Sequence, residues 1–214
     1  SVWILIRKLS ANTDKPAMTI KTTLTTLLLL SLLSGCSSLL PQPEGGKQGL
    51  QSSLNNLQQW QVRGKLSVTS PDDSVTGYLT WEQDKQRYDL FISGPFGSGA
   101  SRLQGNARQA ELTLPGWDKP QRARTPEQLM LAHMGWNFPV TDIRYWVKGQ
   151  PSPNASASSE YDENGLLNRL QQHGWDIRYS RYQQHGDYWL PGLIKISGHD
   201  FRFVFSIKEW TVNG

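Results

Sequence analysis

The chain has 214 residues, with 22 Lys and Arg against 18 Asp and Glu, a formal charge of +4 and one cysteine, Cys36. A single cysteine excludes an intrachain disulfide framework and a cysteine-built zinc site. Residues 1–35 hold Arg7, Lys8, Lys15 and Lys21 against Asp14, so without them the formal charge falls from +4 to +1, too little to make nucleic acid the main partner.

Residues 1–17 read as an upstream segment, because Met18 opens a signal of normal proportions. Lys21 gives that signal a charged start, an apolar run follows from Leu24 to Leu33, and the small residues Ser34 and Gly35 precede Cys36. The layout predicts a signal peptide over 18–35, too short for a comfortable membrane span of ~20 residues. Leu33-Ser34-Gly35-Cys36 resembles the bacterial lipobox, which implies that the Cys36 thiol is acylated and becomes the new N-terminus. The alternative is a cleavable secretory signal with an incidental cysteine. Ser37 stands where Asp is the usual inner-membrane retention signal, which directs the address to the outer membrane. Residues 36–49 are rich in Ser, Pro, Gly and Gln and read as a lipidated tether. Residues 50–214 then suit one domain with a sizeable core.

Leu50, Leu54 and Leu57 have helical spacing, after which the period becomes two. Val62, Gly64, Leu66 and Val68 alternate with polar residues as a half-buried strand, and Pro71-Asp72-Asp73 is turn chemistry. Further strands carry Val75, Gly77, Leu79 and Trp81, then Tyr88, Leu90 and Ile92 with Phe91 on the opposite face. Gly94 to Gly99 interrupts, strands through Leu103 and through Leu112 and Leu114 follow, and Pro115-Gly116 turns the chain. Thr125-Pro126-Glu127-Gln128 is a capping box that starts a helix running through Leu129, Met130 and His133 to Gly135. A second helix begins near Thr141-Asp142, carries Ile143, Trp146 and Val147, and stops at Gly149. Pro151 to Ser159 reads as a loop. In 165–182, Leu166, Leu167 and Leu170 fit a helix, but His173-Gly174 before Trp175, Ile177 and Tyr179 favours a hairpin. Ile194 and Ile196, a turn at Gly198-His199-Asp200, and Phe201, Phe203, Phe205 and Ile207 close the chain as strands. The pattern predicts a mainly antiparallel β plan with short helices, α+β or barrel-like.

A search for catalytic groups finds little. His133, His173, His185 and His199 lack metal-ligand spacing. Neither Ser98 nor Ser101 has glycines on both sides at the nucleophile-elbow spacing, and the glycines of 94–99 match no phosphate-binding fingerprint. Asp72 and Asp73 are turn residues. The reading is therefore of a non-enzyme with no catalytic residue, metal or cofactor.

The apolar residues are more informative. Eight of the nine tryptophans, Trp60, Trp81, Trp117, Trp136, Trp146, Trp175, Trp189 and Trp210, follow Cys36. They are either core or the lining of a cavity inside a sheet too curved to fill itself. Phe96, in Gly94-Pro95-Phe96-Gly97-Ser98, is a large apolar residue where loop tips are polar or small. Either the loop folds back and buries the ring, or the ring is exposed and a bilayer is its natural solvent, worth on the order of 1.5–3 kcal/mol.

Taken in order, Gln59-Trp60-Gln61-Val62-Arg63-Gly64, Trp81-Glu82-Gln83 with Arg87-Tyr88, the Gly94–Ser98 loop, Thr125–Met130, Tyr145-Trp146-Val147-Lys148-Gly149 and Glu209-Trp210 resemble the LolB family of outer-membrane lipoprotein receptors. The resemblance covers about residues 55–214 and the lipobox. It implies an incomplete, unclosed antiparallel β-barrel with a helical lid over a hydrophobic cavity. It also implies a function: accepting triacylated lipoprotein cargo from a LolA-type periplasmic carrier and inserting it into outer-membrane lipid. The inward positions assigned to that cavity are Leu66, Leu79, Trp81, Leu90, Leu129, Trp136, Trp146, Phe203 and Phe205. Family members carry a protruding loop with an apolar residue, usually Leu, needed for membrane delivery. Phe96, flanked by Pro95 and Gly97, occupies that place. A monomer is expected. Two other classes stay open: an outer-membrane hydrolase of lipid or cell wall, which requires a polar cleft with an acid/base pair, and a scaffold lipoprotein, which requires a filled core.

Overall fold

The computed structural model describes residues 46–94, 99–135 and 138–213. In chain order the elements are α1 (Gly46–Asn56), β1 (Gln59–Thr69), β2 (Ser74–Asp84), β3 (Arg87–Ser93), β4 (Ser101–Gly105), β5 (Ala110–Thr113) and β6 (Gln121–Ala123). Next come α2 (Pro126–Met134), α3 (Val140–Trp146), β7 (Ser158–Tyr161), β8 (Leu167–Gln172) and β9 (Trp175–Ser180). The last are β10 (Gln183–His185), β11 (Tyr188–Leu190), β12 (Leu193–Gly198) and β13 (Phe201–Asn213). Eleven strands form one sheet in the order β6-β5-β4-β3-β2-β1-β13-β12-β9-β8-β7, and β10 and β11 pair apart from it. Every pairing is antiparallel. The end strands β6 and β7 are not neighbours, so the sheet is unclosed.

Two-residue alternation sets the faces. On β2, Gly77, Leu79, Trp81 and Gln83 are buried, while Tyr78 and Glu82 are exposed. The hairpin reading of 165–182 is the observed one, as β8 and β9. Its turn residues have φ values of 54° at His173 and 78° at Gly174. The β12–β13 turn repeats this with 50° at His199 and 65° at Asp200. Left-handed backbone at both central positions matches the right-handed twist of the flanking strands. Strands β6, β7, β10 and β11 have no counterpart in the sequence pattern, being only three or four residues long.

Strand β1 pairs with β13 along its whole length, and the register shifts between Arg63, opposite Glu209, and Gly64, opposite Ile207. Lys208 is the extra residue of this bulge, and it moves Trp210 and Val212 onto the face that holds Phe203 and Phe205. Gly64 is required there, because a Cβ would collide with the Ser206 carbonyl oxygen and lie 2.9 Å from the Ile207 Cα. One core cluster contains Trp60, Val62, Trp81, Trp146, Ile177 and Trp210. A smaller one holds Leu103, Ala110, Leu112, Leu129 and Val140.

Helix α1 begins at Gly46, so it takes in residues 46–49 of the segment assigned to the tether. It buries Leu50 and Leu54. The buried Lys148 Nζ donates to the carbonyls of Leu54 at 2.8 Å and Leu57 at 3.1 Å, holding the helix C-terminus to the chain just after α3. Helix α2 has the anticipated capping box between Thr125 and Gln128, and Gly135 ends it at φ 76°.

Gly64→Val is expected to destabilise the domain by about 3 kcal/mol, as overpacking against backbone does, measured by urea unfolding. Burial pushes the Lys148 ammonium down from 10.5 to about 8, with Arg144 adding to the effect. Between those values the unfolded chain holds a proton that the folded chain lacks, so this group adds stability as pH rises. The stability of the parent relative to Lys148→Met is therefore expected to rise above about pH 8 and to be flat below it.

Candidate functional site

The concave side of the sheet encloses a cavity of about 670 Å³, within the range of ligand-binding pockets. Leu66 and Val68 from β1, Leu79 and Trp81 from β2, and Leu90 and Ile92 from β3 line its floor. Leu103 and Leu112 from β4 and β5 face Ile194, Ile196, Phe203 and Phe205 from β12 and β13. Met130 and Met134 of α2, with Phe138, Val140 and Ile143 at α3, form the opposite wall. In the sheet order β5 and β12 are six places apart, roughly 29 Å along a flat sheet at ~4.8 Å per strand. Lining one cavity together requires the sheet to curl. Gly77 leaves part of the floor bare, and its missing Cβ would sit 2.8 Å from the Ser93 carbonyl oxygen.

The cavity opens at one end of the strands. Val75 and Met134 line it and are 61% and 43% exposed. Gly94 and Gly99, which bracket residues 95–98, line it at the same end. Pro95, Phe96 and Gly97 themselves lie outside the described residues, as do Trp136 and Cys36.

Of the positions assigned to the cavity from sequence, Leu66, Leu79, Trp81, Leu90, Phe203 and Phe205 line it. Leu129 and Trp146 do not. Leu129 points from α2 into the smaller cluster with Leu103 and Leu112. Trp146 is fully buried, and its Nε1 donates to Gln172 Oε1 at 2.8 Å. An indole N–H needs a partner when buried, and that requirement draws these rings toward polar groups and away from the apolar void. Trp210 likewise donates to the Pro191 carbonyl at 3.1 Å. Trp81 reaches Gln83 Oε1 at 3.0 Å, so it can line the cavity and still satisfy its N–H. Trp60 packs between Trp81 and Trp210, at ring distances of 5.1 and 5.5 Å. The sequence reading omitted Ile194, Ile196, Leu103 and Leu112 as lining residues, although their two-residue spacing was visible.

Among the described lining residues Arg102 is the one ionisable residue, and its side chain lies on the outward face with its register partner Phe91. Its guanidinium is bound by Asp89, with Nε donating at 2.8 Å, and that bond holds its pKa up. No group of three metal-ligating side chains gathers among the described residues. Among the described residues a hydroxyl, a carboxylate and an imidazole gather at Ser152, Asp142 and His173, away from the cavity lining. There the Ser152 hydroxyl donates to Asp142 Oδ1, and His173 Nε2 lies 3.2 Å from Oδ2. The carboxylate sits between the other two, so the imidazole does not reach the serine proton. That order fastens structure and does not activate a nucleophile.

Val68→Trp narrows the cavity without adding a charge, and it is expected to weaken binding of an acyl-chain fluorophore at least about tenfold, or 1.4 kcal/mol. Binding by the parent is expected to stay constant between about pH 6 and 9, because no lining group described changes charge there.

A family model for outer membrane lipoprotein LolB matches residues 58–210. The outer-membrane lipoprotein LolB of Pseudomonas paraeruginosa is 37% identical over 188 residues, covering 85% of this chain and 91% of that protein. That of Stutzerimonas stutzeri is 34% identical over 189 residues, with 85% and 91% covered. Among solved structures, a DUF1329 family protein from Desulfovibrio piger shares the fold at a TM-score of 0.55 and 9% identity, over 81% of this chain and 94% of that one. The matched segment runs from the start of β1 into β13 and so takes in both cavity walls; on that match and on relatives sharing over a third of their residues, the chain belongs to the LolB family of outer membrane lipoproteins.

Proposed function

We propose that the chain is an outer-membrane receptor that takes the acyl chains of a lipoprotein into the cavity and releases them into the outer membrane. The observation that carries this reading is the apolar void of about 670 Å³, open at the end lined by Gly94 and Gly99. Each acyl CH₂ moved into water costs about 0.8 kcal/mol. A route with an aqueous step is closed to such cargo. A cavity that accepts the chains from a LolA-type periplasmic carrier and opens toward lipid avoids that step. Direction comes from differences in affinity along carrier, receptor and membrane, and needs no nucleophile, metal or nucleotide.

Acylated Cys36 anchors the receptor, which works as a monomer, on the periplasmic face of the outer membrane. Phe96 supplies the apolar contact through which cargo enters the bilayer. Its transfer from water contributes on the order of 1.5–3 kcal/mol, enough for a transient dip and too little for an anchor. The open cavity weighs against a scaffold with a filled interior. The order of Ser152, Asp142 and His173 weighs against a hydrolase built on them.

Photo-crosslinking from Phe203, which lines the cavity, to a triacylated lipoprotein tests the reading. Adducts are expected at Phe203 and absent at outward-facing Lys195. Equal yields at both positions contradict the cavity route. Phe96→Glu is expected to leave cargo uptake intact and stall delivery, so that cargo accumulates on the receptor. Normal delivery by that variant removes Phe96 from the mechanism.

A further inference from the structure

The convex face of the sheet carries two exposed aromatics beside the cavity mouth. Tyr78 on β2 is 59% exposed and Phe91 on β3 is 41% exposed. Tyr78 is opposite Ser93, two residues beyond Phe91, so the two rings are diagonal neighbours on one face. Ser93 adjoins Gly94, a mouth residue, and Val75 lines the mouth on the same end of β2. Beside Tyr78 stands Lys65, which has no ion-pair partner among the described residues. The outward row Ser206–Lys65–Tyr78–Ser93 and the next, Lys195–Val204–Ser67–Thr76, contain two lysines and no carboxylate. The flanking arginines are already neutralised, Arg102 by Asp89 and Arg63 by Glu209 at 3.7 Å. Of the carboxylates around these rows, Asp72, Asp73 and Asp200 lie beyond them toward the mouth end, in the hairpin turns, and Glu82 and Asp89 share the outward face on the other side of Phe91, where Glu82 accepts from Gln61 and Asp89 from Arg102.

Amphipathic rings beside unpaired lysines match the chemistry of a headgroup layer, where the ring sits among glycerol and carbonyl groups and the ammonium reaches phosphate. We propose that the outer face of β1–β3 at the mouth end, built on Tyr78, Phe91 and Lys65, is a docking surface for a bilayer that bears anionic phospholipid headgroups. The inference rests on the receptor reading and adds to it. Contact along this face lays the cavity mouth sideways against the headgroups, so cargo leaves into lipid already in contact with the protein.

The test uses the full lipidated protein in vesicles of phosphatidylethanolamine with phosphatidylglycerol as the minor component. Once Cys36 is acylated, an introduced cysteine is the one free thiol. A fluorophore on Phe91→Cys is expected to be quenched by lipids with a headgroup nitroxide, and one on Gln86→Cys, at the far end of the same hairpin, is not. Adding Lys65→Gln is expected to lower the docked fraction about fivefold, the worth of one cation near an anionic surface. Vesicles of phosphatidylcholine alone are expected to lower it further. No quenching at Phe91, or equal quenching at Phe91 and Gln86, overturns the proposal, and an unchanged docked fraction in Lys65→Gln overturns its electrostatic basis. Uptake of an acyl-chain fluorophore, measured in the same samples, separates the two failures. Lost uptake in the parent is failure of the receptor reading, whereas intact uptake with an unquenched Phe91 label is failure of this inference alone.

Discussion

The interior of this domain is set by a mismatch between the width of the sheet and the volume of the side chains that face inward. Strands six places apart share one concavity, and Leu, Ile and Phe side chains do not span it. The helices do not close the gap. With 9 and 7 residues in α2 and α3, they are only about 13 and 10 Å long at 1.5 Å per residue. They cover the concavity without filling it. Native cores avoid such voids because each forfeits packing attraction and transfer free energy. An apolar guest restores both, so the deficit that lowers the stability of the empty domain is the one that such a guest relieves.

The two lid helices are held very differently. Helix α3 is fastened by a polar network in which Asp142 accepts from Ser152 and Asn154 and faces His173. Gln172 accepts from the Trp146 indole and the Ser152 amide, and donates to the carbonyls of Ser152 and Ala155. Every group here has a partner, which ties α3 to the β8–β9 hairpin. Helix α2 buries only Pro126 and Leu129 and leaves Leu131 and Met134 exposed. Its link to α3 runs through Glu127, which accepts from the Thr141 amide and hydroxyl. The wall with flexible methionine side chains is thus the lightly fastened one, suited to guests of variable shape.

Much of this was readable from the sequence, and the exceptions share physical causes. Alternation gave the floor residues Leu66, Leu79, Leu90, Phe203 and Phe205, because a strand with one buried face has little freedom of register. The capping box gave α2 outright. Trp146 was misplaced because size and apolarity were weighed without the indole N–H, whose partner Gln172 lies on another strand. Leu129 was misplaced because helical spacing defines a buried face but not which of two clusters it meets. The bulge at Gly64 was invisible because it depends on β13, more than a hundred residues away along the chain.

That distance has a consequence for how the protein comes into being. The seam at the centre of the sheet joins β1, the first strand of the domain, to β13, the last. Neither half of the sheet can be joined to the other until residues 201–213 have arrived, and loop closure over such a separation is slow. A nascent chain therefore keeps its two half-sheets unjoined, and its cavity unformed, until the final strand emerges.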